Sequence, residues 1–168
     1  MNKKFDELLL KTAFCCMASD GEIAQEEIDT IQKLCQREEM LKKMDFQNEI
    51  KRFVEEINKQ GMQFIKNYLD ELEKTSLTEP ENINLLNIVF EVIFADGKVE
   101  YSEMKFFRNI RIRLSISDEA IEKNFANTPD LDIFLAKDIV DHLSVEKVTQ
   151  QYFSSIEIPQ FNLEDFKM

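Results

Sequence analysis

Carboxylates recur at one fixed spacing in two places along the chain. The first is Asp20-Gly21-Glu22-Ile23-Ala24-Gln25-Glu26-Glu27 and the second is Asp96-Gly97-Lys98-Val99-Glu100-Tyr101-Ser102-Glu103. Both read Asp-Gly-x-[Ile/Val]-x-x-x-Glu, and the register is kept from 20 to 96 and from 27 to 103. This is the order of the second half of a calcium-binding EF-hand loop: ligand, glycine, apolar residue, glutamate. The first half is not reproduced, because its ligand positions would fall on Cys16 or Val92 and on Ala18 or Phe94, none of them a hard oxygen donor. One loop alone offers about two carboxylates where calcium takes about six to eight oxygens, so neither copy is an EF-hand by itself. Asp20, Glu27, Asp96 and Glu103 are instead candidate ligands of one shared site. If the copies pack about a pseudo-dyad, the four converge and either bind a divalent cation (calcium, magnesium or manganese) or hold raised pKa values without one. The same residues also suit local roles. An aspartate before glycine accepts a backbone hydrogen bond in a turn, and a glutamate three residues into a helix is half of a capping box. The implied N-caps, Ala24 and Glu100, are poor ones, which removes the reciprocal half of the box in both copies.

The elements that must hold these turns repeat as well. Leu9, Leu10 and Phe14 before the first turn match Leu85, Leu86 and Phe90 before the second; after the turns, Ile28, Ile31 and Leu34 match Met104, Phe107 and Ile110. This pattern indicates a duplicated helix–turn–helix unit. Apolar spacings of three and four run almost end to end and strand signals are nearly absent, which predicts an all-α protein. The first helix presents Phe5, Leu8, Leu9, Ala13, Cys16 and Met17 on one face and ends at Gly21. The second presents Ile28, Ile31, Leu34 and Cys35, and two amphipathic stretches follow, over 46–57 and 62–72. Turn formers and a proline break the chain at 75–80. Residues 83–95 are apolar on nearly every face, the mark of a central helix. Ser115 to Asp118 offer polar starts for a helix around Ile121 and Phe125, and Pro129 introduces a last stretch with Leu131, Phe134, Leu135 and Ile139. The expected organisation is a single helical domain over 1–145, with one repeat at about 3–74 and the other at about 80–143. A loosely attached C-terminal tail is expected over 146–168.

The chain has 168 residues, enough for one domain that buries a core without staples. Its 33 acidic against 21 basic residues give a net charge of −12, a field that repels nucleic acid and anionic lipid and attracts cations or basic partners. Cys15, Cys16 and Cys35 form neither a metal-ligand pair nor a disulfide framework, which suits a reducing cytosol. A signal-peptide apolar region is missing and no stretch approaches the ~20 apolar residues of a spanning helix, so a cytoplasmic protein is expected. No phosphate-cradling glycine loop, nucleophile elbow or zinc-protease helix motif is present, and no enzyme is expected. The three cysteines lie at core spacing. His142, beside Asp138 and Asp141, has no second imidazole to work with. Lys105, Arg108, Arg111 and Arg113 interleave with apolar residues as the outer side of one helix rather than as a nucleic-acid patch. The segment from Ile156 to Phe161, with Phe166, could form a docking peptide.

Taken together, the two Asp-Gly-x-[Ile/Val]-x-x-x-Glu units, each behind an apolar helix, resemble the tellurite-resistance TerB family and the TerB-like domain of some J-domain co-chaperones. The likeness covers about residues 3–140. It implies a helical bundle of two pseudo-symmetric halves, no catalytic activity, and an acidic surface where Asp20, Glu27, Asp96 and Glu103 bind a divalent cation. It also implies a role in stress responses, protein partners and association with membrane-linked complexes. Lys98 departs from the pattern, standing where the first copy has Glu22.

Overall fold

Apolar residues at every third or fourth position fold as helices throughout, in a computed structural model that describes residues 3–38, 41–135 and 145–167. Ile139, His142, Asp138 and Asp141 lie outside the described residues. Among those described there are nine α-helices and no strand. They are α1 (Lys3–Ala18), α2 (Gln25–Arg37), α3 (Phe46–Gln60), α4 (Met62–Lys74), α5 (Glu79–Ile93), α6 (Tyr101–Arg111), α7 (Asp118–Asn124), α8 (Leu131–Leu135) and α9 (Val145–Phe153).

Two central helices organise the bundle. In α5 the continuous apolar run buries Leu85, Leu86, Ile88, Val89, Phe90, Val92 and Ile93, as its all-round pattern predicts. α1 differs from its predicted single apolar face. Every residue from Thr12 to Ser19 is buried, because α2, α3, α4, α5 and α6 all pack on it. Among the described helices the packing of α1 on α5 is the most extensive, with α2 also resting on α5 and α6 on α1. Polar groups inside α1 are satisfied locally. The Thr12 hydroxyl donates to the Leu8 carbonyl at 2.7 Å and meets the buried Tyr68 hydroxyl at 2.7 Å.

Beyond the duplicated units the two copies diverge. Phe14 and its counterpart Phe90 each seed an aromatic cluster. Phe14 packs on Phe53 of α3 and Phe64 of α4, whereas Phe90 packs on Phe107 of α6, Phe125 just after α7 and Phe134 of α8. α5 starts earlier than the apolar run at 83. Thr78 and Glu81 form a complete capping box, and Pro80 occupies the first turn, where its missing N–H costs nothing. Ser117 caps α7 by accepting from the Ala120 N–H, as the polar run at 115–118 predicts.

The C-terminal residues are not the loose tail expected. α9 packs against α6, and Tyr152 is fully buried beside Phe106 with its hydroxyl donating to the Ser19 carbonyl at 2.6 Å. Ile156 is buried beyond it. The apolar residues here are too few to announce a helix face in sequence, yet each reaches the existing core. Tyr152→Ala should therefore cost about 3–5 kcal/mol, the range for emptying a buried aromatic site, and Tyr152→Phe about 1 kcal/mol for the single hydrogen bond. Urea denaturation of the two variants checks this. A Tyr152→Ala effect below 1 kcal/mol would mean that the C-terminal helix is not part of the cooperative fold.

Candidate functional site

Each Asp-Gly unit folds into the same loop. α1 gives way to a tight turn in which the Gly21 N–H donates to the Ala18 carbonyl, and the Gly97 N–H donates to the Phe94 carbonyl in the same way. Both glycines have positive φ, +81° and +74°, where a side chain would be strained. Asp20 Oδ1 then accepts from the Glu22 N–H at 2.9 Å, and Asp96 Oδ1 from the Lys98 N–H at 2.9 Å. Glu27 Oε1 accepts from the Ala24 N–H at 2.9 Å, and Glu103 Oε1 from the Glu100 N–H at 2.9 Å. These are half capping boxes. Neither Ala24 nor Glu100 gives a side-chain cap in return, as the sequence predicts.

The loops differ from ordinary turns in where the glutamates end up. Glu27 is 3% exposed and Glu103 2% exposed, while Asp20 and Asp96 are half-buried above them. Burial raises the Glu27 carboxyl to about 9, against the pull of the Ala24 N–H, and the charges of Asp20, Glu103 and Asp96 push the same way. Glu103 rises to about 8 through burial, with Asp20, Asp96 and Glu100 adding to it. Asp20 rises to about 6, mainly through burial, with Glu22 and Glu100 adding to it. The carboxylates from both copies therefore lie within one another's field, and the charges acting most strongly on each glutamate are all negative. Glu100 joins them. In sequence it counts only as a mediocre cap, but as the residue matched to Ala24 it is the one place where the second copy adds a charge to the loop.

The donor chemistry fits a hard cation. Each carboxylate uses one oxygen on a backbone N–H, at 2.9 Å in all four. The oxygens are not gathered: among the described residues no group of three or more carboxylate, cysteine or histidine side chains stands in metal-holding geometry. The loops account for this, since the backbone bonds turn each glutamate towards its own helix. Cys16 lies close enough to feel both glutamates, yet it is fully buried and its thiol is pushed well up by burial, so it is a core residue rather than a nucleophile. Cys15 and Cys35 are buried free thiols too.

Residues 9–124 match the family profile described as Tellurite resistance protein TerB. The chain belongs to the TerB family. No curated protein and no solved structure matches it significantly. The matched stretch takes in both loops of this TerB-family chain and ends with α7, so α8, α9 and everything beyond lie outside it.

The cationic residues near the second copy are engaged within the fold. Arg111 pairs with Asp118, Arg108 donates to the Ile133 carbonyl at 3.0 Å, Arg113 reaches Thr149 at 2.8 Å, and Lys105 stands over the Tyr101 ring.

The raised carboxyls fix a pH dependence. Glu27 and Glu103 bind protons more tightly folded than unfolded, so their contribution to stability is full below the unfolded value near 4.5 and is lost as pH rises through 8 and 9. In chelator, the melting temperature should fall between pH 5 and pH 9. Glu27→Gln with Glu103→Gln, which keeps an oxygen for the helix N–H, should flatten that slope. A slope unchanged in the double variant would place the titration elsewhere.

Proposed function

We propose that this chain is a non-enzymatic TerB-family module whose paired acidic turns take up one divalent cation in exchange for protons, in a tellurite-resistance or related stress response. The carrying observation is that two buried glutamates, one from each copy, have only carboxylates as their strongest electrostatic neighbours. A buried carboxylate cluster needs either protons or a counter-cation. Protons serve at lower pH. Near neutral pH, Asp20 is mostly charged while the glutamates hold their protons, and a cation that draws in their oxygens displaces them. The two copies meet about an approximate two-fold axis in this reading, with α2 on α5 and α6 on α1 as the reciprocal contacts. The setting we propose is cytoplasmic, with protein partners and without nucleic acid, in contact with membrane-linked complexes. Among the described residues no helix is long and apolar enough to cross a membrane.

A second reading is an interaction adaptor in which the carboxylates serve only as turn and cap residues. It is favoured by the four short backbone bonds, which already give every one of them a local partner.

Calorimetric titration of chelator-stripped protein at pH 7 with calcium, magnesium, manganese and zinc, in two buffers of different ionisation heat, separates the readings. The expected result is binding by at least one ion with proton release, lost in both Asp20→Asn and Asp96→Asn. No heat with any ion, or binding that survives both substitutions, would leave the adaptor.

A further inference from the structure

The C-terminal segment lies against a face that reads peptide backbone. Two side-chain amides each clasp a single residue of it. Asn58 Nδ2 donates to the Phe161 carbonyl at 2.9 Å, and Asn58 Oδ1 accepts from the Phe161 N–H at 2.8 Å. Gln25 Nε2 donates to the Lys167 carbonyl at 2.7 Å, and Gln25 Oε1 accepts from the Lys167 N–H at 2.9 Å. The Gln25 amide is held for this task, because its Nε2 also donates to Asp29 at 2.9 Å. A third contact runs the other way, from Gln160 Nε2 to the Asn58 carbonyl at 2.8 Å.

The first acidic turn is shaped for the same segment. A Cβ on Gly21 would sit 2.7 Å from the Glu157 carbonyl oxygen, so only glycine lets this backbone pass. Among the described residues the second turn has no such visitor: none lies within 4 Å of a Cβ on Gly97, and Tyr101, 65% exposed, stands where the first copy has Gln25.

Paired amide contacts recognise an N–H and a C=O that every residue but proline carries, so affinity comes from the main chain and selectivity from apolar side chains. Here Ile158, Phe161, Leu163 and Phe166 are only partly buried against the core. Tyr152, just upstream, is fully buried and keeps the segment tethered when it lets go.

We propose that the face formed by Gly21, Gln25 and Asn58 is a peptide-docking groove that residues 156–167 occupy in cis. In trans it takes a partner protein's segment of the same chemistry, extended but for one 3-10 turn like that of Leu163–Asp165, with apolar side chains spaced by polar ones. This stands independently of cation binding.

The probe is a fluorescein-labelled synthetic peptide of residues 155–167, titrated by anisotropy into the full chain. In the full-length variant Ile158→Asp/Phe161→Asp, whose own segment cannot seat, peptide affinity should rise at least tenfold over the unaltered chain. Adding Asn58→Ala should remove the gain. Circular dichroism verifies the fold of each variant. In the unaltered chain, excess unlabelled peptide should speed amide exchange at Phe161 at least tenfold, which needs no variant to fold. No gain in the double variant, a gain indifferent to Asn58→Ala, or Phe161 exchange unmoved by peptide would overturn the proposal. So would a concentration-dependent dimer with exchanged C-terminal segments, which would make a second copy the occupant.

Discussion

Packing α1 on α5 forces two carboxylate-bearing loops into one another's field, and much of the remaining architecture answers to that contact. The helices must meet closely because both are apolar on nearly every side. The loops at their ends then have no freedom to part. Glu27 and Glu103 enter the interior as the third residues of α2 and α6, where a carboxylate is normally exposed and steadied by the helix dipole. Here burial outweighs the dipole and the backbone N–H, and the two carboxyls are pushed up to about 9 and about 8. An apolar pair at these positions would pack at lower cost. Titratable oxygen is what such a pair would lack.

Much of this was legible in the sequence, because duplication gives a second measurement of each residue. One Asp-Gly turn is common; two in register, behind matched apolar helices, mark which residues correspond, and both turns fold with the same backbone bonds. The poor caps at Ala24 and Glu100 were legible too, and the half boxes follow from them. Periodicity could not show that α1 is buried all round, since Thr12 and Ser19 read as polar until their hydroxyls are seen bonded to backbone carbonyls. Nor did it show the start of α5, where Thr78 and Glu81 box the helix ahead of its apolar run. The docking of the C-terminal residues is not legible for a physical reason. Val145, Val148 and Tyr152 keep a helical spacing only over a short helix, and beyond it Ile156, Ile158, Phe161, Leu163 and Phe166 follow no sustained period yet rest in or against the core.

The copies share their loops and little else. After α2 the chain builds two long helices around Phe14, while after α6 it builds short ones around Phe90. Among the described residues it is the first copy's turn that carries the C-terminal segment, with Gly21 doing double duty as the turn residue and as a point of close approach for the Glu157 carbonyl.

That asymmetry ties the acidic loops to the groove. Gln25, which clasps Lys167, and Glu27, which holds the Ala24 N–H, occupy the first turn of the same helix. The start of α2 is therefore set by two demands at once: the charge state of a buried carboxylate and the seating of a peptide. α6 answers only to the first, since Tyr101 offers no amide at the matching position. Glu27 and Glu103 each hold the backbone at their own helix start, but only α2 also carries, in Gln25, a residue that holds a chain segment. The two loops share one backbone design, and divergence at matched positions such as Gln25 and Tyr101, with the close approach of the Glu157 carbonyl to Gly21, gives the first of them a second contact to make.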